Sequence, residues 1–480
     1  MFGVSELRTG QRAVIEAVLA RRHTLAIMPT GAGKSLCYQV PAMLMPGMTV
    51  IVSPLIALMR DQFDKLTELG LEAVQINSAI PVGDIRHARA RIGRRSVEFV
   101  FTTPEQLARP DLRPLLGDGA VDLLVIDEAH CISQWGHDFR PAYLDALSRV
   151  SALGSPTILA LTATATPEVI ADIERQLGVG PLHVINTGTH RPNLSYHVRP
   201  VSDDTDKQRQ VIEIVRGATG STIVYAATVR HVEVLHELFR AEGIAATSYH
   251  GRQRAQDRGA AQDAFMTGAV STIIATNAFG MGIDKPDIRT VVHYDLPPSL
   301  DVYYQESGRA GRDGEPADCV LLFQRRDRGL QRFFMAGRYP TRDDFIALVE
   351  GLRRLSEQQA PVTVDQIRRT VPAVAASKLR VMLLALKQGG LVRERRGSLY
   401  QIRPQLLTAS IEPLAAAYEE RRQRDQTKLE QMVVYAQTAL CRTRVLLTAL
   451  GEAVEWSQCE ACDNCRGLAI RPEGVALGAA

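Results

Sequence analysis

Residues 28–35 read Met28-Pro29-Thr30-Gly31-Ala32-Gly33-Lys34-Ser35. The run follows the aliphatic stretch Thr24–Met28 and precedes a helical pattern, the setting a phosphate-binding loop requires. Gly31 and Gly33 let the backbone approach a phosphate closely and aim N–H groups at it. Lys34 would meet the β- and γ-phosphates and Ser35 would hold Mg2+, with Thr30 and Ala32 completing the cradle. ATP with Mg2+ is therefore the expected ligand. The usual first Gly of such a loop is Met28 here.

A second aliphatic run ends in acid: Val125-Ile126-Asp127-Glu128-Ala129-His130. A carboxylate at a strand end beside a phosphate loop can reach Mg2+ through water (Asp127), and its neighbour can orient or deprotonate the attacking water (Glu128). Charge on the γ-phosphate still needs a cationic partner. Gln305-Glu306-Ser307-Gly308-Arg309-Ala310-Gly311-Arg312 offers two arginines far along the chain. If these sit on a separate domain, the site is complete only when two domains close, and nucleotide state is coupled to their separation.

The surrounding pattern supports two such domains. Short apolar runs alternate with helical patterns at Thr24–Met28, Thr49–Val52, Glu98–Thr102, Val121–Ile126 and Thr157–Leu161. They do so again at Thr222–Tyr225, Ala245–Tyr249, Thr272–Ala275, Thr290–His293 and Cys319–Phe323. Near-continuous apolar strands spaced by helices predict parallel sheets covered on both faces. The polar stretch Arg199–Gln208 reads as a linker between them. Phe345–Leu355, Thr363–Arg369 and a stripe at Leu379, Met382, Leu383 and Leu386 predict three helices, stopped at Gly389-Gly390. Leu391–Arg395 and Ser398–Ile402 then predict a hairpin, which together give a winged-helix outline. A long helix from about Pro413 to Leu440 follows.

With 480 residues, 45% hydrophobic and 23% charged, the composition is that of a multidomain globular chain. No apolar run reaches the ~18 residues of a membrane helix, and no leader pattern opens the chain. Net charge is only +3, too mild to identify a nucleic-acid partner, although only seven of 56 Lys/Arg residues are Lys. That skew suits phosphate contact or a GC-rich genome equally. Four of the seven Cys crowd the C-terminal region: Cys441, Cys459, Cys462 and Cys465. Four thiolates suit a structural tetrahedral Zn2+ in a reducing compartment; an iron–sulfur cluster uses the same ligand set.

The segment Asp127-Glu128-Ala129-His130-Cys131-Ile132-Ser133-Gln134-Trp135-Gly136-His137-Asp138-Phe139-Arg140-Pro141 resembles the RecQ family of superfamily 2 DNA helicases. Other boxes fall in that family's order: Leu7-Arg8-Thr9-Gly10-Gln11, Ser53-Pro54-Leu55, Thr103-Pro104-Glu105, Leu161–Ala165, Tyr249-His250-Gly251 and Thr276–Lys285. The resemblance covers roughly residues 1–335 and 420–466. Thr9 stands where the family usually has Pro. The resemblance implies that Arg8, Gln11 and Asp284 contact nucleotide, Gln11 by reading the adenine edge. It gives His130 and Gln305 catalytic positions beside Lys34, Ser35, Asp127, Glu128, Arg309 and Arg312. Ser53, Thr103, Trp135, Phe139 and Arg140 become DNA contacts, with Trp135 and Phe139 as stacking faces. It also implies 3′-to-5′ unwinding of duplex or forked DNA in recombination, repair and replication, and a cytoplasmic, nucleoid-associated location.

The expected architecture is α/β: a RecA-like ATP-binding domain over 1–195, a second RecA-like domain over 196–338, a winged-helix-like segment over 340–405, and a helical zinc-binding platform over 411–470. The family usually places its winged helix after the zinc platform, whereas here a winged-helix-like segment precedes it. That segment is expected to have taken over duplex engagement, with Arg393, Arg395 and Arg396 on its wing touching phosphate. The few residues before the adenine segment leave the start codon open to reassignment. An RNA helicase, a double-strand translocase and a zinc-containing DNA-binding regulator with a vestigial motor are the competing readings.

Overall fold

The structure, a computed structural model, describes residues 6–467 apart from 110, 118, 134–139, 148–152, 281–284, 357–360 and 396–398; for Arg113, Pro141, Arg338 and Leu407 it describes the backbone alone. Its contacts divide the chain into two compact units: residues 1–295, 300–323 and 438–480 form one, and residues 296–299 and 324–437 the other.

The first unit contains two parallel sheets. The first is built from β1 (Thr24–Ile27), β2 (Met48–Val52), β3 (Ala73–Ile76), β4 (Phe99–Thr102), β5 (Val121–Ile126), β6 (Thr157–Thr162) and β7 (His183–Asn186), in the order β3-β4-β2-β5-β6-β1-β7. Alternate residues of its central strands face different cores. Leu25, Ile27, Leu124 and Ile126 belong to one cluster, and Ala26, Leu123, Val125 and Leu161 to another. Continuous apolar strands are thus used on both faces. Because every strand runs the same way, the segments after β1, β2, β4, β5 and β6 all emerge at one edge, where α/β sheets place ligands.

The second sheet contains β8 (Leu194–Pro200), β9 (Ser221–Tyr225), β10 (Ala246–Tyr249), β11 (Thr272–Ala275), β12 (Ile288–His293) and β13 (Ala317–Phe323), ordered β10-β11-β9-β12-β13-β8. The stretch expected to be a linker, Arg199–Gln208, is instead the end of β8 and the start of the helix Asp204–Gly217. Two local devices explain this. Leu194, Tyr196 and Val198 alternate with half-exposed residues, the period of an edge strand. Asp203 caps the helix by accepting from the Asp206 amide, and acids fill the first turn, where the helix dipole favours them. That polarity is a helix start, not a break.

The free edge of β8 is covered by the cysteine segment. The Asp463 amide donates to the Tyr196 carbonyl (3.2 Å), and the Val198 amide donates to Asp463 Oδ2 (2.8 Å). Arg442, buried beside it, donates to Asp463 Oδ1 at 2.8 Å. An unpaired strand edge is thereby closed.

The second unit contains helices Arg342–Ser356, Val364–Thr370 and Ala376–Gln388 with an antiparallel sheet of β14 (Val362–Thr363), β15 (Val392–Arg395) and β16 (Leu399–Ile402), ordered β14-β16-β15. Thr363 and Gln366 form a reciprocal cap at the second helix. Phe345, Leu348, Ile367, Leu379, Met382, Leu386 and Val392 form its core. The long helix Glu412–Gln437 belongs to this unit, while the four cysteines belong to the first. The contacts thus part a segment expected to be one domain over 411–470. No helix among the described residues is long and apolar enough to cross a membrane.

Candidate active site and metal site

The phosphate loop lies between β1 and the helix Leu36–Leu44. Gly31 and Gly33 adopt φ of 85° and 74°, the left-handed region that favours glycine. Lys34 Nζ donates to the Met28 carbonyl at 3.2 Å, which folds the side chain back over its own loop. Ser35 occupies the N-cap position of the helix. Gln11, fully buried, donates from Nε2 to the carbonyls of Ala32 (3.0 Å) and Gly33 (2.9 Å) and accepts from the Arg8 amide (2.8 Å). The Arg8 side chain donates to the Gly31 carbonyl. Arg8 and Gln11 therefore sit against the phosphate loop, consistent with a nucleotide-proximal place.

Asp127 and Glu128 follow β5. Burial and the Glu128 charge push the Asp127 carboxyl up to about 6, against the pull of Lys34 and a hydrogen bond from Ser53. A buried carboxylate with a like-charged neighbour is a natural seat for a cation. With the Ser35 hydroxyl, the donor set fits Mg2+. Glu128 has φ 50° and ψ 49°, an uncommon conformation for a non-glycine residue and one found often at functional sites. His130 is buried; its Nδ1 lies 3.1 Å from Thr162 Oγ1 and 3.3 Å from Glu128 Oε2. That joins the acidic box to the carboxyl end of β6.

Two expected DNA contacts are turned inward. Ser53 is 2% exposed and donates to Asp127 Oδ2 at 3.0 Å. Thr103 is 6% exposed and caps the helix Pro104–Leu107 by accepting from the Gln106 amide. The carboxyl ends of β2 and β4 thus spend these hydroxyls on internal geometry. Half-buried Arg140 donates to the Pro54 carbonyl at 3.3 Å. Trp135, Phe139 and Asp284 lie outside the described residues, as does Arg396.

Arginines of the second sheet's domain reach the loop. A Cβ added at Gly31 would lie 3.3 Å from Arg312 Cγ, and one added at Gly308 would lie 3.4 Å from Thr30 Cβ. Arg312 is therefore packed against the phosphate loop. Arg309 is buried and donates to the Gly280 carbonyl, within its own domain. Gln305 is half-buried on the helix Leu300–Ser307.

Several site residues had no sequence signal of their own. Tyr143, fully buried, donates to the Asp127 carbonyl at 2.8 Å. The connector after β7 makes a series of attachments. Thr187 donates its amide to the Ile27 carbonyl (3.0 Å), and Thr189 receives the Tyr304 hydroxyl (2.6 Å) and donates its amide to Glu452. The His190 ring lies 5.3 Å from that of Trp456. Arg191 donates to carbonyls of both domains. Only three-dimensional neighbours reveal such roles.

The sulfurs of Cys441, Cys459, Cys462 and Cys465 all lie within 4.8 Å of one another. A tetrahedron with ~2.3 Å Zn–S bonds has edges of about 3.8 Å, so the cluster fits Zn2+. Burial opposes charge on Cys459, but hydrogen bonds from Thr443 and from the Ala461 and Cys462 amides hold its thiol down at about 7. A thiolate is the ligand form. Cys37, Cys131 and Cys319 are buried and apart from this cluster.

Known proteins match in the same order. Residues 8–173 match the DEAD/DEAH box helicase profile, 206–314 the helicase conserved C-terminal domain, and 401–466 the RecQ zinc-binding domain. The "Probable ATP-dependent DNA helicase RecS" of Bacillus subtilis is 37% identical over 394 residues, covering 81% of this chain and 78% of that protein. The ATP-dependent DNA helicases RecQ of B. subtilis and Pasteurella multocida are 42% and 40% identical over 70% and 68% of this chain. The chain spans about half the length of those two, 56% and 51%. Among solved structures, Mycobacterium smegmatis helicase Lhr bound to ssDNA and AMP-PNP aligns with TM-score 0.55 at 22% identity, over 84% of this chain and 59% of that one. Saccharomyces cerevisiae Dbp5 bound to RNA and ADP BeF3 aligns with TM-score 0.56 at 18% identity, over 69% and 87%. These two likenesses speak for the fold, two RecA-like parallel-sheet domains. The phosphate loop, the acidic box, the second-domain arginines and the four cysteines, together with the relatives that share their order, place this chain in the RecQ family of superfamily 2 helicases.

Proposed function

We propose that this chain is an ATP-driven DNA helicase that moves 3′ to 5′ along one strand and opens duplex or forked DNA. The observation that carries the reading is the packing of Arg312 against Gly31: an arginine of the second domain touches the loop of the first that would hold the phosphates. Closure of the two domains then governs the charge around the γ-phosphate, and hydrolysis alternates grip and release on the strand.

In this reading Lys34 and the loop amides hold the phosphates, Gln11 and Arg8 brace the loop next to the base, and Glu128 orients the attacking water. Bound at Ser35 and Asp127, Mg2+ would screen phosphate charge. Arg309 and Arg312 stabilise charge developing in the transition state. His130 passes the state of the acidic box to Thr162. Trp135, Phe139 and Arg140 serve as the strand-sensing segment, and Asp284 is assigned a nucleotide-binding role. Zn2+ on the four cysteines ties the C-terminal segment to the edge of β8. The reading also takes domain boundaries near 195, 338 and 410, a cytoplasmic, nucleoid-associated place of work, and roles in recombination, repair and replication.

Opening one base-pair step costs about 1.4 kcal/mol in stacking, a modest load for a nucleotide-driven step. The test is strand displacement on forked substrates carrying a 3′ or a 5′ tail, alongside ATP hydrolysis with single-stranded DNA or RNA. ATP-dependent displacement confined to the 3′ tail supports the reading. Stimulation by RNA alone, or hydrolysis without displacement, refutes it.

A further inference from the structure

Arg191 lies in the connector between the two domains, and its guanidinium reaches both. Nη1 donates to the Thr30 carbonyl at 3.1 Å and to the Gly308 carbonyl at 3.4 Å. Nη2 donates to the carbonyls of Ala310 at 3.0 Å and Gly311 at 2.5 Å. Nε donates to Asn193 Oδ1 at 3.2 Å, and Asn193 in turn donates to the carbonyls of Gly311 and Glu315, each at 2.8 Å.

The accepting carbonyls are informative. A trans peptide holds its C=O and N–H in one plane, pointing opposite ways. Fixing the Thr30 carbonyl on Arg191 therefore turns the Gly31 N–H away from Arg191, within the loop that would cradle phosphate. Fixing the Gly308 and Gly311 carbonyls likewise sets the peptides that enter Arg309 and Arg312. One planar fork thus orients backbone in the phosphate loop and in the peptides leading into each of the two arginines. A lysine, with its donors on a single point, cannot span that arrangement.

We propose that Arg191 is a positioning residue that registers the arginine loop, residues 308–312, against the phosphate loop, and that it acts through Arg312 without touching nucleotide itself. The proposal rests on the ATPase reading above. Its consequence is selective: nucleotide binding survives loss of Arg191, while transition-state stabilisation falls.

The experiment measures affinity for a fluorescent ADP with and without aluminium fluoride, in the presence of Mg2+ and single-stranded DNA, together with steady-state ATP hydrolysis. In wild type, fluoride should tighten binding, because the complex mimics the transferring phosphoryl group. Arg191→Ala should keep ADP affinity within about threefold, lose about tenfold of the fluoride-dependent tightening and lower kcat with little change in KM. In an Arg312→Ala background, Arg191→Ala should add no further loss of that tightening, as expected of two residues acting as one unit. Should Arg191→Ala fail to fold, Arg191→Lys is read by the same criteria. Undiminished tightening in the single variant overturns the proposal, as do losses that multiply in the double variant. A wild type that neither hydrolyses ATP nor responds to fluoride overturns the ATPase reading itself.

Discussion

Ser53 Oγ donates a 3.0 Å hydrogen bond to Asp127 Oδ2, although the two lie in separate motifs 74 residues apart. β2 and β5 are hydrogen-bonded neighbours, and both residues follow their strands at the same sheet edge. The hydroxyl therefore belongs to the acidic box. Ser53→Ala should lower kcat for ATP hydrolysis by about tenfold, the scale of losing one hydrogen bond to a charged group, and leave single-stranded DNA affinity within about twofold. Fluorescence anisotropy beside a coupled ATPase assay checks this; a selective fall in DNA affinity would return Ser53 to the strand-binding surface.

Lys34→Ala should abolish hydrolysis and unwinding while DNA binding persists. Its ammonium already lies within its own loop, 3.2 Å from the Met28 carbonyl. Anisotropy with labelled single strands separates the two functions, and surviving hydrolysis would show that the loop is not the phosphate site.

Asp295 offers a test in pH. Burial alone would raise its carboxyl, but the hydrogen bond with His231 and the charge of Lys207 hold it below the ordinary range. Its Oδ2 lies 2.8 Å from His231 Nδ1 and its Oδ1 3.3 Å from Lys207 Nζ, with both members of the Lys207 pair 2% exposed. A depressed carboxylate pKa gives stability that is full above the unfolded value, about 3.9, and is lost as pH falls through the lower folded value. Asp295→Asn should cost about 3–5 kcal/mol at neutral pH, because the Lys207 charge is left buried. It should also flatten the acid limb below about pH 4 in thermal melts. An equally steep limb in the variant would remove Asp295 from that role.

Metal analysis should find zinc on the purified chain, with none of the visible absorption of an iron–sulfur cluster. Cys462→Ser, at a fully buried ligand, should release it and lower the melting temperature. Iron and sulfide in the intact protein would reverse the assignment.

On the wing, Arg393 and Arg395 are exposed, and Arg395 is tied across the hairpin to Gln401 at 2.7 Å. If the hairpin engages duplex, Arg393→Ala with Arg395→Ala should weaken fork binding and reduce the salt slope by about one to two counterions. Unchanged binding across a salt titration would make the wing a packing element.

Reading from sequence succeeded where one short segment carries its own physics. The phosphate loop, the acidic strand end, the buried apolar strands and the cysteine spacing are local patterns; the apolar strands form the two parallel sheets and the four cysteines lie together. It was weaker where a role depends on a distant neighbour. Ser53 and Thr103 look like loop hydroxyls until their partners, Asp127 and the Gln106 amide, are seen. β3 carries the polar Gln75 inside its four residues and β7 is largely exposed, so neither stands out by hydrophobicity. β8 was hidden because an edge strand covered by Asp463 needs apolar residues only at every second position.

The connector from Thr187 to Asn193 works as a ruler. Ile27, Glu452, Tyr304, Thr30 and Gly311 are each met by a particular residue along it. The attachments to Ile27, Glu452 and Tyr304 use the connector's backbone and do not depend on which side chain stands there. Inserting or deleting a single residue would displace every attachment beyond it, so outside Arg191 and Asn193, whose side chains carry their attachments, this stretch should tolerate varied side chains far better than varied length.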